Sequence, residues 1–181
     1  MDAIKKLPSS RNDAEIIQIM TDHMASFLEK PHPAFGNMPI CPYARKARLD
    51  NKILFKVERI GFTHHDSTIN PQVLDHIKAF QTKGSFEVMV MIHPDVAEMP
   101  TSEEIEGFVK VLNGLIQSEG LVCFSGHPDN DFNIQGTFTR RDPFVNITIQ
   151  KKAHLDQAAK HLKKTPYYDQ WTSEDLAYIH G

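Results

Sequence analysis

Cys41 opens the run Cys41-Pro-Tyr-Ala-Arg45-Lys46, and three further stretches set imidazoles beside carboxylates: His64-His65-Asp66, His93-Pro94-Asp95 and His127-Pro128-Asp129. A fifth, Thr139-Arg140-Arg141-Asp142-Pro143, holds two adjacent guanidiniums. A thiol can act as nucleophile or redox group, an imidazole as proton carrier, and a guanidinium as a fork for a carboxylate or phosphate. Cys41 stands just before a proline suited to the first position of a short helix, with Arg45 and Lys46 close behind. A helix start and neighbouring cations both favour the thiolate. Each His-Pro-Asp is also good turn chemistry in its own right, so a site requires that the fold bring these stretches to one place.

The elements that would position them can be read from spacing. Residues 14–29 carry Ile16, Ile17, Met20, Met24, Phe27 and Leu28 at helical intervals, capped by Asn12 or Asp13 and stopped by Pro31. Residues 31–40 are rich in proline and read as a stiff, ordered loop. Residues 53–60 form the first strand. Asn70-Pro71 opens a helix bearing Val73, Leu74, Ile77 and Phe80, which Gly84 closes. Residues 86–92 are the nearly continuous apolar run of a strand covered on both faces. Thr101 and Glu104 form a capping-box signature ahead of a helix that carries Ile105, Phe108, Val109, Leu112, Leu115 and Ile116 and ends at Gly120. Strands over 121–124 and 144–149 and helices near 154–164 and 173–179 complete the chain.

This order implies a single α/β domain over residues 1–181. Its mixed sheet has about four strands flanked by helices, the first three parallel because helical crossovers join them and the last antiparallel. An N-terminal helix and proline-rich loop occupy 1–40, and an aromatic tail with a short helix occupies 165–181. In such sheets ligands bind beyond the carboxyl ends of the parallel strands. His64/His65, His93 and His127 follow those ends, and Arg140-Arg141 precedes the strand that returns.

Three functions are compatible with that rim. In the first, a small-molecule enzyme, Cys41 is the nucleophile or redox thiol, His93 or His127 carries the proton and Asp129 orients a histidine. Arg45, Arg140 and Arg141 there clamp a small anionic substrate. In the second, Cys41, His93, His127 and one of His64 and His65 ligate a single zinc, iron or copper ion, although neither Cys-x2-Cys nor His-Glu-x2-His spacing occurs. The third is a non-catalytic domain that binds an anion or a partner, with Lys151, Lys152, Lys160, Lys163 and Lys164 adding positive charge. The aromatic run Pro166 to Trp171 is then a flap on the domain or a homodimer contact. Cys123, inside an apolar strand, reads as an inert core residue.

Composition narrows the partners. The 181 residues include 20 Lys+Arg and 23 Asp+Glu, a net charge of −3 with histidine neutral, which is the wrong sign for a dedicated nucleic-acid binder. No apolar run approaches a membrane-spanning length and the N-terminus lacks a signal core. Two cysteines far apart in sequence fit a reduced, cytoplasmic protein. Asn146-Ile-Thr matches a glycosylation sequon by accident inside a strand-like run. No glycine-rich phosphate loop is present.

The combined pattern resembles a family of bacterial domains of unknown function. Its members carry Leu-Cys-Pro-Phe-Ala near the start, a His-Pro pair after a central strand, then Phe-His-Pro-Asp, and Arg-x-Pro-Tyr-Pro before the last strand. The counterparts here are Ile40-Cys41-Pro42-Tyr43-Ala44, His93-Pro94, His127-Pro128-Asp129 and Arg141-Asp142-Pro143-Phe144, in the same order over about residues 38 to 150. Gly126 separates Ser125 from His127, and Val145 stands where the last proline would be. The resemblance implies that Cys41, His93, His127 and Arg141 belong together, and it implies no activity. Cys-Pro-Tyr-Ala is also similar to the Cys-Pro-Tyr-Cys of glutaredoxins, with Ala44 in place of the second cysteine.

Overall fold

The computed structural model describes residues 11–59, 61–62, 64–65, 68–94 and 99–180, and the side chains of His64 and His65 lie outside that description. The first helix, α1 (Asp13–His23), starts at a complete capping box in which Asn12 and Glu15 exchange side-chain-to-backbone bonds of 3.0 Å each. From Met24 to Leu28 the coil widens into a π-helical turn. That wider turn redirects the stripe that the spacing places on one helix. Ile16 and Met20 pack on the sheet, whereas Phe27 and Leu28 face a second cluster. The proline-rich stretch is ordered, as its composition requires, into the small pair β1 (Pro31–His32) and β2 (Met38–Pro39) around a tight 3-10 turn.

The main sheet is built from β3 (Ile53–Val57), β6 (Val88–His93), β7 (Leu121–Gly126) and β8 (Val145–Lys151), in the order β3-β6-β8-β7. A short antiparallel pair, β4 (His64–His65) and β5 (Thr68–Ile69), follows β3. α2 (Ala44–Leu49) leads into β3, α3 (Pro71–Lys83) joins β3 to β6, and α4 (Ser102–Ile116) joins β6 to β7. α5 (Lys152–Leu162) and α6 (Ser173–His180) close the chain. The local signals hold at several ends. Asn70 caps α3, the capping box of Thr101 and Glu104 opens α4, and Gly84 and Gly120 adopt left-handed conformations after their helices.

The three strands expected to share a direction do so, and β8 runs against them. Yet β3 and β6 are the one parallel pair, because β8 inserts between β6 and β7. Its burial explains the place. Val145, Ile147 and Ile149 turn to the α3/α4 face at 0% exposure while Asn146 is 1% exposed on the other, so β8 suits the interior of a sheet. On one face Met89, Met91, Cys123 and the β8 residues pack against α3 and α4; on the other Val90, Ile92 and Phe144 pack against α1. A third cluster joins Ala34, Phe35 and Ile40 to Leu162 and Tyr167. The tail therefore packs on the domain as a flap, with Phe35 beside both Tyr167 and Trp171. Asn146 donates to Asp142 Oδ2 at 2.7 Å and to the Phe144 carbonyl at 3.1 Å, so the sequon is sealed inside the sheet.

Inserting β8 leaves β7 on the sheet's edge, where unpaired backbone groups are a liability. The Asn113 amide of α4 closes it. Nδ2 donates to the Cys123 carbonyl at 3.0 Å, and Oδ1 accepts from the Cys123 N–H at 2.8 Å. One side chain thus stands in for a missing neighbour strand. Asn113→Ala strands both groups, and urea unfolding should show a loss of about 2 kcal/mol; an unchanged midpoint would mean the edge is closed by something else.

Candidate functional site

The rim foreseen from topology exists in part. His93 ends β6, His127 follows β7, and β8 lies between those strands, so the two imidazoles stand about two strand spacings, roughly 10 Å, apart. Both are 2% exposed. His93 Nδ1 lies 3.2 Å from the Glu58 carbonyl, its ring meets the edge of Phe62, and its buried Nε2 has no hydrogen-bond partner among the described residues.

His127 is fully engaged. Nδ1 accepts from the Asp129 N–H at 2.9 Å, so the ring proton sits on Nε2, which donates to the Pro100 carbonyl at 2.9 Å. Both ring nitrogens are thus taken by backbone groups. The expected carboxylate orienter is replaced by a backbone contact: Asp129 serves His127 through its N–H while the residue itself is exposed.

The two adjacent arginines divide. Arg141 is consumed by structure, its Nε donating to the Asn130 carbonyl at 2.8 Å and its Nη2 to Asp131 at 3.0 Å, with the Phe138 ring 3.5 Å from its Cζ. Arg140 is not. Its Cζ lies 4.9 Å from the ring centre of Tyr178, 5.2 Å from Phe124 and 5.7 Å from Phe132. Burial pulls its pKa down, opposed by Tyr178, then by the charges of Glu106 and Asp142 and by Cys123; a guanidinium stays charged regardless. Among the described residues its N–H groups find no hydrogen-bond acceptor, and no carboxylate comes within ion-pair distance of it.

Arg140 lines a cleft of about 770 Å³ between α4, the free edge of β7 and α6. Val109, Leu121, Val122, Phe124 and Ile179 form much of its wall. Tyr178 closes one side, stacking on Phe132 at 4.3 Å and donating to Glu106 Oε1 at 2.7 Å. Glu106 also accepts from Asn130 at 3.1 Å, and Asn130 in turn anchors the loop that Arg141 pins. Glu106, Asn113, Phe124, Phe132 and Tyr178 were not foreseen from sequence. Asn113 carried a signal, since it falls four residues after Val109 and three before Ile116, on the buried face of an amphipathic helix where a polar side chain needs a partner.

Cys41 belongs to a different layer. Its N–H donates to the Leu28 carbonyl at 2.8 Å, and Tyr167 donates to the carbonyl of Ile40 beside it. Cys41 is exposed as a residue, although neighbouring atoms crowd its thiol. Burial pushes the thiol up, the N–H groups of Ala44 and Tyr43 pull it down, and the charge of Glu29 pushes it up again. Arg45 lies near Glu29 rather than at the rim, and Glu29 takes a two-point bond from Arg48 at 2.6 and 2.8 Å. None of the contacts of Cys41 among the described residues is with His93, His127 or Arg141. The expected metal ligands are therefore not brought together, and no group of three or more His, Cys, Asp or Glu suited to a metal ion occurs among the described residues. His64 and His65 contribute backbone to a small strand pair, and their side chains fall outside the description. Cys123 sits 1% exposed in the core, its thiol pushed far up by burial.

Two expectations follow. Arg141→Met should lower stability by about 2 kcal/mol in urea unfolding, because bonds to a charged group are lost. Arg140→Met should leave it unchanged or raise it, since a half-buried charge with no ion-pair partner among the described residues is replaced by a chain that packs well on aromatic rings. Cys41 should react with iodoacetamide at neutral pH more slowly in the native protein than in the unfolded chain. A thiol whose folded pKa is raised also supports the fold fully below the unfolded value of about 8.5, and that support is lost as pH rises through the folded value.

No helix among the described residues is long and apolar enough to cross a membrane. Comparison with family models, with curated proteins and with solved structures finds no match in any of the three, so the chemistry of the cleft is argued from its own residues.

Proposed function

We propose that this domain binds a small anionic molecule in the cleft between α4, β7 and α6, with Arg140 as the anchor, and that it acts as a ligand-binding domain. The observation that carries this reading is the state of Arg140: a half-buried cation, held by aromatic rings, whose hydrogen-bond donors have no acceptor among the described residues. Cation–π contact recovers about 0.5–2 kcal/mol of the cost of burying such a charge, but it uses none of the N–H groups. A carboxylate or phosphate would satisfy them in the plane of the guanidinium.

The Cys/His enzyme reading has less support. Its thiol is shifted away from reactivity, its candidate proton carrier His127 has both ring nitrogens occupied, and none of the contacts of Cys41 among the described residues is with a histidine of the rim. The metal reading lacks a ligand cluster among the described residues.

Thermal unfolding of the full chain, followed while inorganic phosphate, acetate and octanoate are added at constant ionic strength, tests the proposal. At least one of these anions should raise the midpoint in a concentration-dependent way, and Arg140→Met should abolish the rise. Equal rises in both proteins, or none in either, would overturn it.

A further inference from the structure

Resting on the reading above, we infer that the ligand is an amphipathic monocarboxylate: an acid whose head group docks on Arg140 and whose apolar body lies along the free edge of β7. Four observations lead there.

The cleft, at about 770 Å³, is far larger than a bare anion needs and falls in the range of sites that enclose a whole small molecule. Its walls beyond Arg140 are largely apolar, with Val109, Leu121, Val122 and Phe124 running away from the cation along the strand. An acid with a hydrocarbon body gains from that surface, whereas a free phosphate does not.

The charge balance selects a single negative group. Arg140 already feels Glu106 and Asp142, and Glu103 also lines the cleft. Two further cations stand on the wall: Lys152, paired with Asp156 at 2.8 Å, and Lys110, four residues on from Glu106 along α4. Three cations, Arg140, Lys110 and Lys152, face two carboxylates, Glu103 and Glu106, so the lining is left with one positive charge, which a single carboxylate matches.

The edge of β7 rules against a peptide. A peptide adding to this edge needs the N–H and C=O of Cys123, which Asn113 holds. Just beyond, the His127 N–H is taken by the Arg140 carbonyl at 3.0 Å. By the alternation of an antiparallel ladder, the backbone groups of Ser125 also point outward at this edge, and Ser125 lines the cleft. Its N–H is one neutral donor at the Arg140 end, enough for a carboxylate oxygen and too little for an added strand.

The test is calorimetric titration of the full chain at neutral pH with sodium octanoate, acetate, octanol and inorganic phosphate. Octanoate should bind one-to-one and about tenfold or more tighter than acetate or phosphate, by virtue of its buried methylenes. Octanol should bind at least about tenfold more weakly than octanoate for want of the ion pair. Arg140→Met should abolish octanoate binding while the variant unfolds in urea like the parent. Should that variant fail to fold, Arg140→Lys, which keeps the charge and loses the fork, should weaken octanoate by about tenfold. If phosphate binds through Arg140 as tightly as octanoate, the anion reading stands and the amphipathic-acid inference falls. If octanol matches octanoate, the carboxylate anchor falls. If no probe shows Arg140-dependent binding, both fall.

Discussion

Cys123 gives its backbone N–H and carbonyl to the Asn113 amide, and four residues later the His127 N–H finds the Arg140 carbonyl. These contacts close an edge that the sheet order leaves open. Because β8 returns between β6 and β7, the strand that might have sat in the middle of a parallel sheet becomes its margin. A side chain and a loop do the work of a fifth strand, and neither can cover the whole length of β7. What remains uncovered is the cleft. The cavity is thus a by-product of how the edge is sealed, and its position beside α4 follows from Asn113 being on that helix.

The same loop that seals the edge also presents the cation. Residues 127–141 are fixed by a chain of bonds that starts with Asp129 on His127, passes through Asn130 on Ser102 and Glu106, and ends with Arg141 on Asn130 and Asp131. Every polar group in that chain has a partner, so the loop is held without calling on Arg140. Its neighbour's engagement is what leaves Arg140 available. The aromatic rings that receive it come from a strand, the loop and α6, so the guanidinium is positioned by three separate segments.

Much of the fold was legible because helix ends are local chemistry. Asn12, Asn70, Thr101 with Glu104, Gly84 and Gly120 each act within a few residues of themselves, and each does in the structure what its type suggests. Strand order was not legible. The runs at β6, β7 and β8 are all apolar, and which of them is central depends on pairings that no single run encodes. The strand directions were recoverable from the crossovers, and with them the sharing of one rim by His93 and His127. The roles at that rim were not recoverable, since His127 spends Nδ1 on the turn it makes with Asp129 and His93 meets the distant Glu58 carbonyl. Nor could sequence separate Arg140 from Arg141. The difference lies in a carbonyl and a carboxylate about ten residues upstream, which reach one guanidinium and miss the other.

The contrast between the two arginines also separates stability from function. Arg141 repays its desolvation through bonds within the chain. Arg140 is half-buried against aromatic rings with no acceptor for its donors among the described residues, an arrangement that returns little to folding. Residues that cost stability without a structural return concentrate where a binding site needs them. Cys41 shows the opposite balance. Its position looked reactive because cations and a helix start lie nearby, yet Arg48 is bonded to Glu29, Arg45 lies near the same carboxylate, and desolvation pushes the thiol up although the residue is exposed. Charge near a thiol in sequence raises its reactivity only when the charge reaches the sulfur in space, and here a buried carboxylate intercepts it. Arg140, by contrast, rests among aromatic rings with no carboxylate partner among the described residues, which is why the proposed site is built on it.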